Sequence, residues 1–170
     1  MLHIAPEAAL FAKFKTAKNV DYYPADKFTP GYDHAYPEGT TDMDVTAIPF
    51  ADNTFDVIIC NHVLEHVPDD ALAMRELHRV LKPSGFAILQ SPMEPDRPNT
   101  YEDFSLTTPE QRLAAFGQYD HVRIYGADYG ARLQAAGFAV TIDTFNADFG
   151  AADRFKYGLP DYEEIYIGKK

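Results

Sequence analysis

The sequence has few of the residues that mark a secreted, membrane-embedded or nucleic-acid-binding protein. Cys60 is its one cysteine, so no disulfide can form within the chain, and no apolar run approaches the roughly 20 residues that cross a membrane. Basic residues are scarce as well, since 15 Lys and Arg stand against 26 Asp and Glu, for a net charge of −11. Because such a chain repels nucleic-acid phosphates, we expect a cytoplasmic protein that binds neither nucleic acid nor membrane.

A glycine-rich turn is also missing near the amino terminus. Residues 2–5 are apolar enough for a strand, but Ala5, Pro6 and Glu7 follow where a dinucleotide-binding protein carries Gly-x-Gly-x-x-Gly. This absence argues against a nicotinamide-dependent oxidoreductase. Proline at this point instead favours the first turn of a helix.

The amino acids that are present have the balance of one globular domain. The chain has 170 residues, of which 46% are hydrophobic and 24% charged, enough for one hydrophobic core. We therefore assign residues 1–170 to a single domain.

The clearest pattern is a strand–helix–strand unit between residues 55 and 90. The run 55–60 is almost entirely apolar and rich in β-branched residues, which predicts a strand buried on both faces. Apolar residues recur at helical spacing from 69 to 82, and Pro83 and Gly85 then end the helix. Residues 86–90 supply a second buried strand. A right-handed crossover makes the two strands parallel, which predicts an α/β fold.

Several short motifs occur in order around this unit. They are an acidic strand end at Asp44, Pro-Phe at 49–50, Phe-Asp at 55–56, Leu-Glu-His at 64–66 and Leu-Lys-Pro-Ser-Gly at 81–85. In this combination the chain resembles class I S-adenosylmethionine-dependent methyltransferases, of the kind called methyltransferase type 11. The resemblance implies a doubly wound, Rossmann-like sheet of seven mostly parallel strands with the last strand antiparallel. It also implies S-adenosyl-L-methionine as cofactor and a small-molecule methyl acceptor.

The resemblance gives the turn after the first strand a role in binding the cofactor. Ala5, Pro6 and Glu7 replace the family's glycine-rich turn, so the motif is degenerate. Proline removes a backbone donor and Cβ atoms add bulk, but a helix N-terminus still faces the methionine end of the cofactor.

Two aspartates are expected to hold the adenosine. Asp26 ends a predicted strand 20–26, where a carboxylate accepts hydrogen bonds from ribose hydroxyls. Asp44, with Val45 beside it in a predicted strand 43–46, resembles the family residue that accepts from the adenine amino group. A solvated strand-end aspartate at 26 and a turn aspartate at 44 are the alternatives.

Asn61 and His62 follow the strand 55–60, so we expect them to line the methionine and sulfonium side of the cofactor. His62, Glu65 and His66 also invite a metal interpretation. Residues four apart share a face only on a helix, however, and Pro68 leaves little room for one. We therefore predict no metal, and we expect Glu65 and His66 to hold the turn through hydrogen bonds.

His121 is the general base that the sequence favours. The run 118–126 resembles a loop that borders the acceptor site in related methyltransferases, and an ordinary histidine pKa of about 6.5 suits proton removal near neutrality. A histidine that only ties down a turn through hydrogen bonds is the alternative.

The remaining elements follow from local signals. We predict helices at 109–116 and 128–137, strands at 138–142 and 164–167, and a polar loop at 94–107 that covers the substrate. Residues 146–160 are too polar and irregular to predict a helix or a strand.

Two functions of different classes remain. The first is an S-adenosylmethionine-dependent methyltransferase with a small-molecule acceptor. The second is a non-catalytic, methyltransferase-like binding or interaction module, which the replaced glycine turn favours. Because the first strand begins almost at residue 1, the family's N-terminal cap helices are missing. We expect a homodimer or a further N-terminal segment to cover this strand.

Overall fold

The computed structural model describes residues 1–29, 36–160 and 163–170 of the chain. Within these ranges nine strands form two sheets: β1 Leu2–Ile4, β2 Tyr23–Asp26, β3 Thr41–Asp42, β4 Phe55–Cys60, β5 Leu81–Ile88, β6 Tyr101–Glu102, β7 Arg123–Ile124, β8 Ala139–Asp143 and β9 Ile165–Lys169. The larger sheet has the order β3–β2–β1–β4–β5–β9–β8. In this sheet β9 is antiparallel to both of its neighbours, and the other pairs are parallel. This confirms the expected seven-stranded, mostly parallel architecture with an antiparallel last strand.

In the part of the chain that the structure describes, five α-helices and two short 3₁₀ turns connect these strands. The helices are α1 Ala8–Lys15, α2 Asp70–Val80, α3 Pro109–Phe116, α4 Tyr129–Ala135 and α5 Ala151–Tyr157, and the 3₁₀ turns are Leu64–His66 and Phe145–Asp148. The first helical turn of α2 is capped by Asp69, whose side chain accepts from the Leu72 amide. Within the described residues no helix has the length and apolarity needed to cross a bilayer.

The core lies between the sheet and one face of α2. Ile58 of β4 and Leu77 of α2 have no exposed surface, and Ala73 beside Leu77 is equally buried. Full burial of one such leucine or isoleucine contributes about 1.5–3 kcal/mol. The apolar periodicity that predicted this helix therefore marks the face that packs against the sheet.

β5 begins earlier than expected, directly where α2 ends. Leu81 pairs with Phe55 and Phe86 pairs with Val57, so residues 82–85 form a bulge between the two pairs. A Cβ atom at Gly85 would lie 2.7 Å from the Asp56 carbonyl oxygen, so only glycine fits this position. The predicted helix end at 82 and strand start at 86 were wrong because the bulge is a property of strand pairing.

The third strand also lies elsewhere than predicted. It covers Thr41–Asp42, and placing it at 43–46 was wrong. The carboxylate of Asp44 accepts from both the amide and the hydroxyl of Thr46, at 2.9 and 2.6 Å. Such a local side-chain bond favours a turn over a strand.

The smaller sheet joins two segments that the sequence analysis treated as loops. Tyr101 pairs with Ile124 and Glu102 pairs with Arg123, in antiparallel register. Strands of two residues carry no usable alternation of apolar and polar side chains, so only the pairing itself reveals them.

Candidate functional site

The strand order of the large sheet reverses between β1 and β4. Ile4 and Cys60 are register partners at the carboxyl ends of these parallel strands. The turn after β1 and residues 61–62 after β4 therefore meet at one edge of the sheet. In open α/β sheets ligands bind in the crevice at such a reversal.

The turn after β1 keeps the backbone shape that glycine favours although it contains none. Ala5 has φ of +47°, in the left-handed region, and its amide donates to the Ala25 carbonyl at 2.8 Å. A residue with a Cβ atom pays about 1–2 kcal/mol for this conformation. Pro6 is buried, and Glu7 then forms the N-cap of α1 without a capping side-chain bond.

The Glu7 side chain lies at the centre of a hydrogen-bonded cluster. Its Oε2 is 2.7 Å from His3 Nε2, and its Oε1 accepts from Asn61 Nδ2 at 2.9 Å. His3 Nδ1 lies 2.9 Å from the Tyr22 hydroxyl on the other side. Burial favours the neutral acid, but the hydrogen bonds from His3 and Asn61 outweigh it and lower the pKa of Glu7 to about 2. The cluster therefore keeps a negative charge at the reversal point.

Asn61 carries an unused acceptor beside this charge. Its side-chain Oδ1 is buried and has no hydrogen-bond partner among the described residues. An unpaired buried polar atom costs about 1–3 kcal/mol, so a ligand that donates to it gains that energy. A carboxylate and an amide oxygen together suit a ligand ammonium group, and the amino group of a bound methionine moiety is such a group.

Asp26 and Asp44 lie at the ends of the neighbouring strands. Asp26 Oδ1 accepts from the Lys27 amide at 2.8 Å, and Asp44 Oδ2 accepts from Lys27 Nζ at 2.6 Å. Burial alone would raise the pKa of Asp44, but hydrogen bonds from Lys27 and Thr46 lower it to about 2. Val45, beside Asp44, is buried in the core. Asp44 is thus a turn residue that also forms an ion pair.

His62 follows Asn61 in a left-handed conformation, with φ of +54°. Its side chain is 60% exposed, and Nδ1 lies 3.7 Å from Glu65 Oε1, which is beyond hydrogen-bond range. His62 lines a cavity of about 220 Å³ together with Ser91, Pro92 and Met93. The strained backbone directs the ring away from the sheet and toward this cavity.

His121 lies in a second cavity, of about 150 Å³, that shares Pro92 and Met93 with the first. The ring is 7% exposed and meets the His66 ring edge-to-face, with centroids 4.6 Å apart. Burial and the neighbouring His66 lower the pKa of His121, whereas Glu65, Asp120 and the Phe116 carbonyl act in the opposite direction.

Residues 7–89 of the chain match a protein-family model described as "Methyltransferase domain". The match spans just under half of the chain, and over these residues the chain is similar to that family. The match includes every motif on which the resemblance was based and thereby confirms it. S-adenosylmethionine is the cofactor of this family of transferases, and one solved neighbour, the trans-methyltransferase CalH, is described in complex with SAH.

Curated relatives match the methyltransferase domain over short segments. "Uncharacterized protein YafE" of Escherichia coli K12 is 38% identical over 81 residues, which are 48% of this chain and 36% of that protein. A demethylmenaquinone methyltransferase of Staphylococcus epidermidis is 38% identical over 63 residues, which are 37% of this chain and 26% of that protein. The matched segments thus span about a quarter to a third of these relatives.

Solved structures superpose on almost the whole chain. An S-adenosylmethionine-dependent methyltransferase from Archaeoglobus fulgidus superposes with a TM-score of 0.62 at 13% identity, over 99% of this chain and 85% of the other. One from Mesorhizobium loti gives 0.60 at 17% identity, over 99% and 89%. At these identities the likeness shows the fold.

A buried arginine to which the sequence pattern gave no role organises the part of the fold that contains the smaller cavity. Arg123 has 1% exposure and donates to the carbonyls of Leu64 at 2.8 Å, Pro68 at 2.9 Å and also Val67. Its Nε donates to Glu102 at 3.0 Å. Arg123 thus ties the turn after β4 to β7 and keeps the segment containing His121 next to it. No sequence pattern indicates this role, because Glu102 and Arg123 become neighbours only when β6 pairs with β7.

Proposed function

We propose that this chain is an S-adenosylmethionine-dependent methyltransferase that acts on a small-molecule acceptor. The observation that carries the proposal is the pair of Glu7 and Asn61 at the reversal of strand order, where a charged carboxylate and an unpaired amide oxygen lie side by side. This pair suits the ammonium end of the cofactor without a glycine-rich turn.

The cofactor is expected to bind along the carboxyl ends of β1 to β4. Asn61 and Glu7 would hold the methionine amino group, and the turn Ala5–Pro6 would pass beside the methionine. Asp26 would accept from the ribose hydroxyls. Asp44 and Val45 would border the adenine, for which Lys27 must move from its ion pair with Asp44. Bound S-adenosylmethionine supplies an electrophilic methyl group, so the protein has mainly to orient the acceptor.

The acceptor is expected to occupy the two adjoining cavities, with volumes of about 150 and 220 Å³. Met93 and Pro92 give both cavities an apolar wall, and His62 stands at the mouth of the larger one. Spaces of this size suit a small molecule. We propose His121 as the group that removes a proton when the acceptor must lose one, because it lines the smaller cavity and its lowered pKa favours the neutral imidazole.

Calorimetric titration with S-adenosylmethionine and with S-adenosylhomocysteine tests the cofactor site. We expect micromolar binding by the wild type and at least tenfold weaker binding by Asn61→Ala and Asp26→Ala, in line with about 1.4 kcal/mol for each lost charged or buried contact. The matched control is Asp56→Asn, because Asp56 is an exposed aspartate near the opposite end of β4 that pairs with Lys82.

Equal binding by all four proteins would place the cofactor elsewhere. No binding by the wild type at millimolar ligand would refute the enzyme proposal for this chain and favour the interaction module instead.

A further inference from the structure

Three potential metal ligands from two distant segments meet beside the smaller cavity. One side-chain oxygen of Glu65 and one ring nitrogen each of His66 and His121 lie within 4.8 Å of one another. Glu65 and His66 are in the 3₁₀ turn after β4, and His121 precedes β7. The amide of Val122 donates to the Glu65 carbonyl at 3.0 Å, which fixes the two segments together.

Two of the three side chains have an outer partner that leaves one ligand atom available. Glu65 Oε2 accepts from the Ser91 hydroxyl at 3.0 Å, and His66 Nδ1 lies 3.4 Å from Asp120 Oδ2. Metal-binding histidines characteristically use one ring nitrogen for the ion and the other for a carboxylate or a carbonyl.

The remaining oxygen of Glu65 lacks the partner that its burial demands. Glu65 is 1% exposed, and its Oε1 has no hydrogen bond within the described ranges of the chain. His62 Nδ1 is 3.7 Å away on a largely exposed ring. The buried Arg123 directs its donors at Glu102 and at backbone carbonyls. A buried carboxylate oxygen without a donor loses about 1–3 kcal/mol, which a bound cation would recover.

We propose that Glu65, His66 and His121 bind one divalent transition-metal ion of the Zn²⁺ type. Two imidazoles and a carboxylate suit zinc and similar ions, whereas Mg²⁺ and Ca²⁺ prefer oxygen ligands alone. Ligand atoms around tetrahedral zinc lie about 3.4 Å apart, given bonds of about 2.1 Å. The present spacing of at most 4.8 Å closes to that value by small side-chain rotations.

Three protein ligands leave a coordination position open, and His121 lines the proposed acceptor cavity. In this part the inference rests on the proposed function. An acceptor hydroxyl bound to the ion would lose its proton to water more readily, since a metal ion stabilises the oxygen anion. His121 would then be a ligand, and the ion would replace it as the group that favours deprotonation.

Ion binding to the full chain, stripped with EDTA and without S-adenosylmethionine, tests the site directly. Calorimetry with ZnCl₂ is expected to give one ion per chain with micromolar or tighter affinity, and MgCl₂ is expected to give no heat of binding. Co²⁺ provides visible d–d absorption whose intensity reports whether the bound ion is four-coordinate. Glu65→Gln, His66→Gln and His121→Asn should each weaken Zn²⁺ binding by roughly tenfold or more.

The matched control is His78→Gln, which removes a histidine of α2 outside the cluster and should bind Zn²⁺ like the wild type. His66→Gln is the decisive variant, because His66 is 30% exposed and its replacement is least harmful to folding. Circular dichroism checks the fold of each variant.

If the two histidine rings only pack against each other and hold no ion, Zn²⁺ will not bind at one ion per chain. That result would overturn the proposal. So would Zn²⁺ affinity that His66→Gln and His121→Asn leave unchanged. Because these titrations contain no methyl donor, their failure is independent of failure to bind S-adenosylmethionine.

Discussion

Replacing Glu7 by glutamine tests whether the cluster of His3, Glu7 and Asn61 stabilises the turn after β1. The pKa of Glu7 falls from its ordinary 4.5 to about 2 in the folded chain, against the effect of burial, through hydrogen bonds from His3 and Asn61. That lowering corresponds to an upper limit of about 3.4 kcal/mol. Because 39% of the side chain is exposed, solvent screening reduces the expected contribution to about 1–2 kcal/mol.

The sign of the pH dependence follows from the lowered pKa of Glu7. The folded state favours the carboxylate, so its contribution to the free energy of unfolding is complete above about pH 4.5 and is lost as the pH falls toward 2. Glu7→Gln should therefore be about 1–2 kcal/mol less stable than the wild type at pH 7. At about pH 3 the difference should fall to less than half of that value.

Urea denaturation of both proteins at the two pH values measures this difference. Glu110→Gln, at an exposed position in the first turn of α3, is the control and should show little change at either pH. A difference between the wild type and Glu7→Gln that is the same at about pH 3 as at pH 7 would refute the assignment of a lowered pKa to Glu7.

Two further substitutions test the structure of the site. Ala5→Gly should raise the free energy of unfolding by about 0.5–1 kcal/mol, because glycine adopts the φ of +47° without strain. Ala5→Val should lower it by more than about 1 kcal/mol. Thermal unfolding of both variants measures the difference, and equal stabilities would contradict the left-handed conformation of Ala5. Arg123→Met should cost about 3–5 kcal/mol in urea denaturation, since it removes the hydrogen bonds of a buried guanidinium to three backbone carbonyls and to Glu102. Arg97→Met, at a half-exposed ion pair, should cost less than about 1 kcal/mol. Similar losses of unfolding free energy in the two arginine variants would mean that Arg123 does not hold the turn after β4 against β7.

The sequence predicted the fold class well where periodicity is long. Most of the run 55–60 and one face of the helix after it are buried as expected, and the last strand is antiparallel. The sequence-based prediction was wrong where strand pairing or a local side-chain hydrogen bond sets the backbone conformation. The examples are the bulge at 82–85 and the turn at Asp44. The binding roles of Asp26 and Asn61 stay predictions that the titrations with S-adenosylmethionine test. The binding role of His62 and the catalytic role of His121 also stay predictions.

The sequence alone determined the parallel α/β sheet and the resemblance to methyltransferases, because buried strands, amphipathic helices and motif order are local properties of the chain. Only the tertiary structure decided which polar side chains meet. His62 and His66, four residues apart, point to different surroundings, while His66 and His121, 55 residues apart, lie in ring contact. The physical reason is that a buried arginine at 123 binds the carbonyls of the turn after β4, and no spacing in the sequence encodes such a long-range contact.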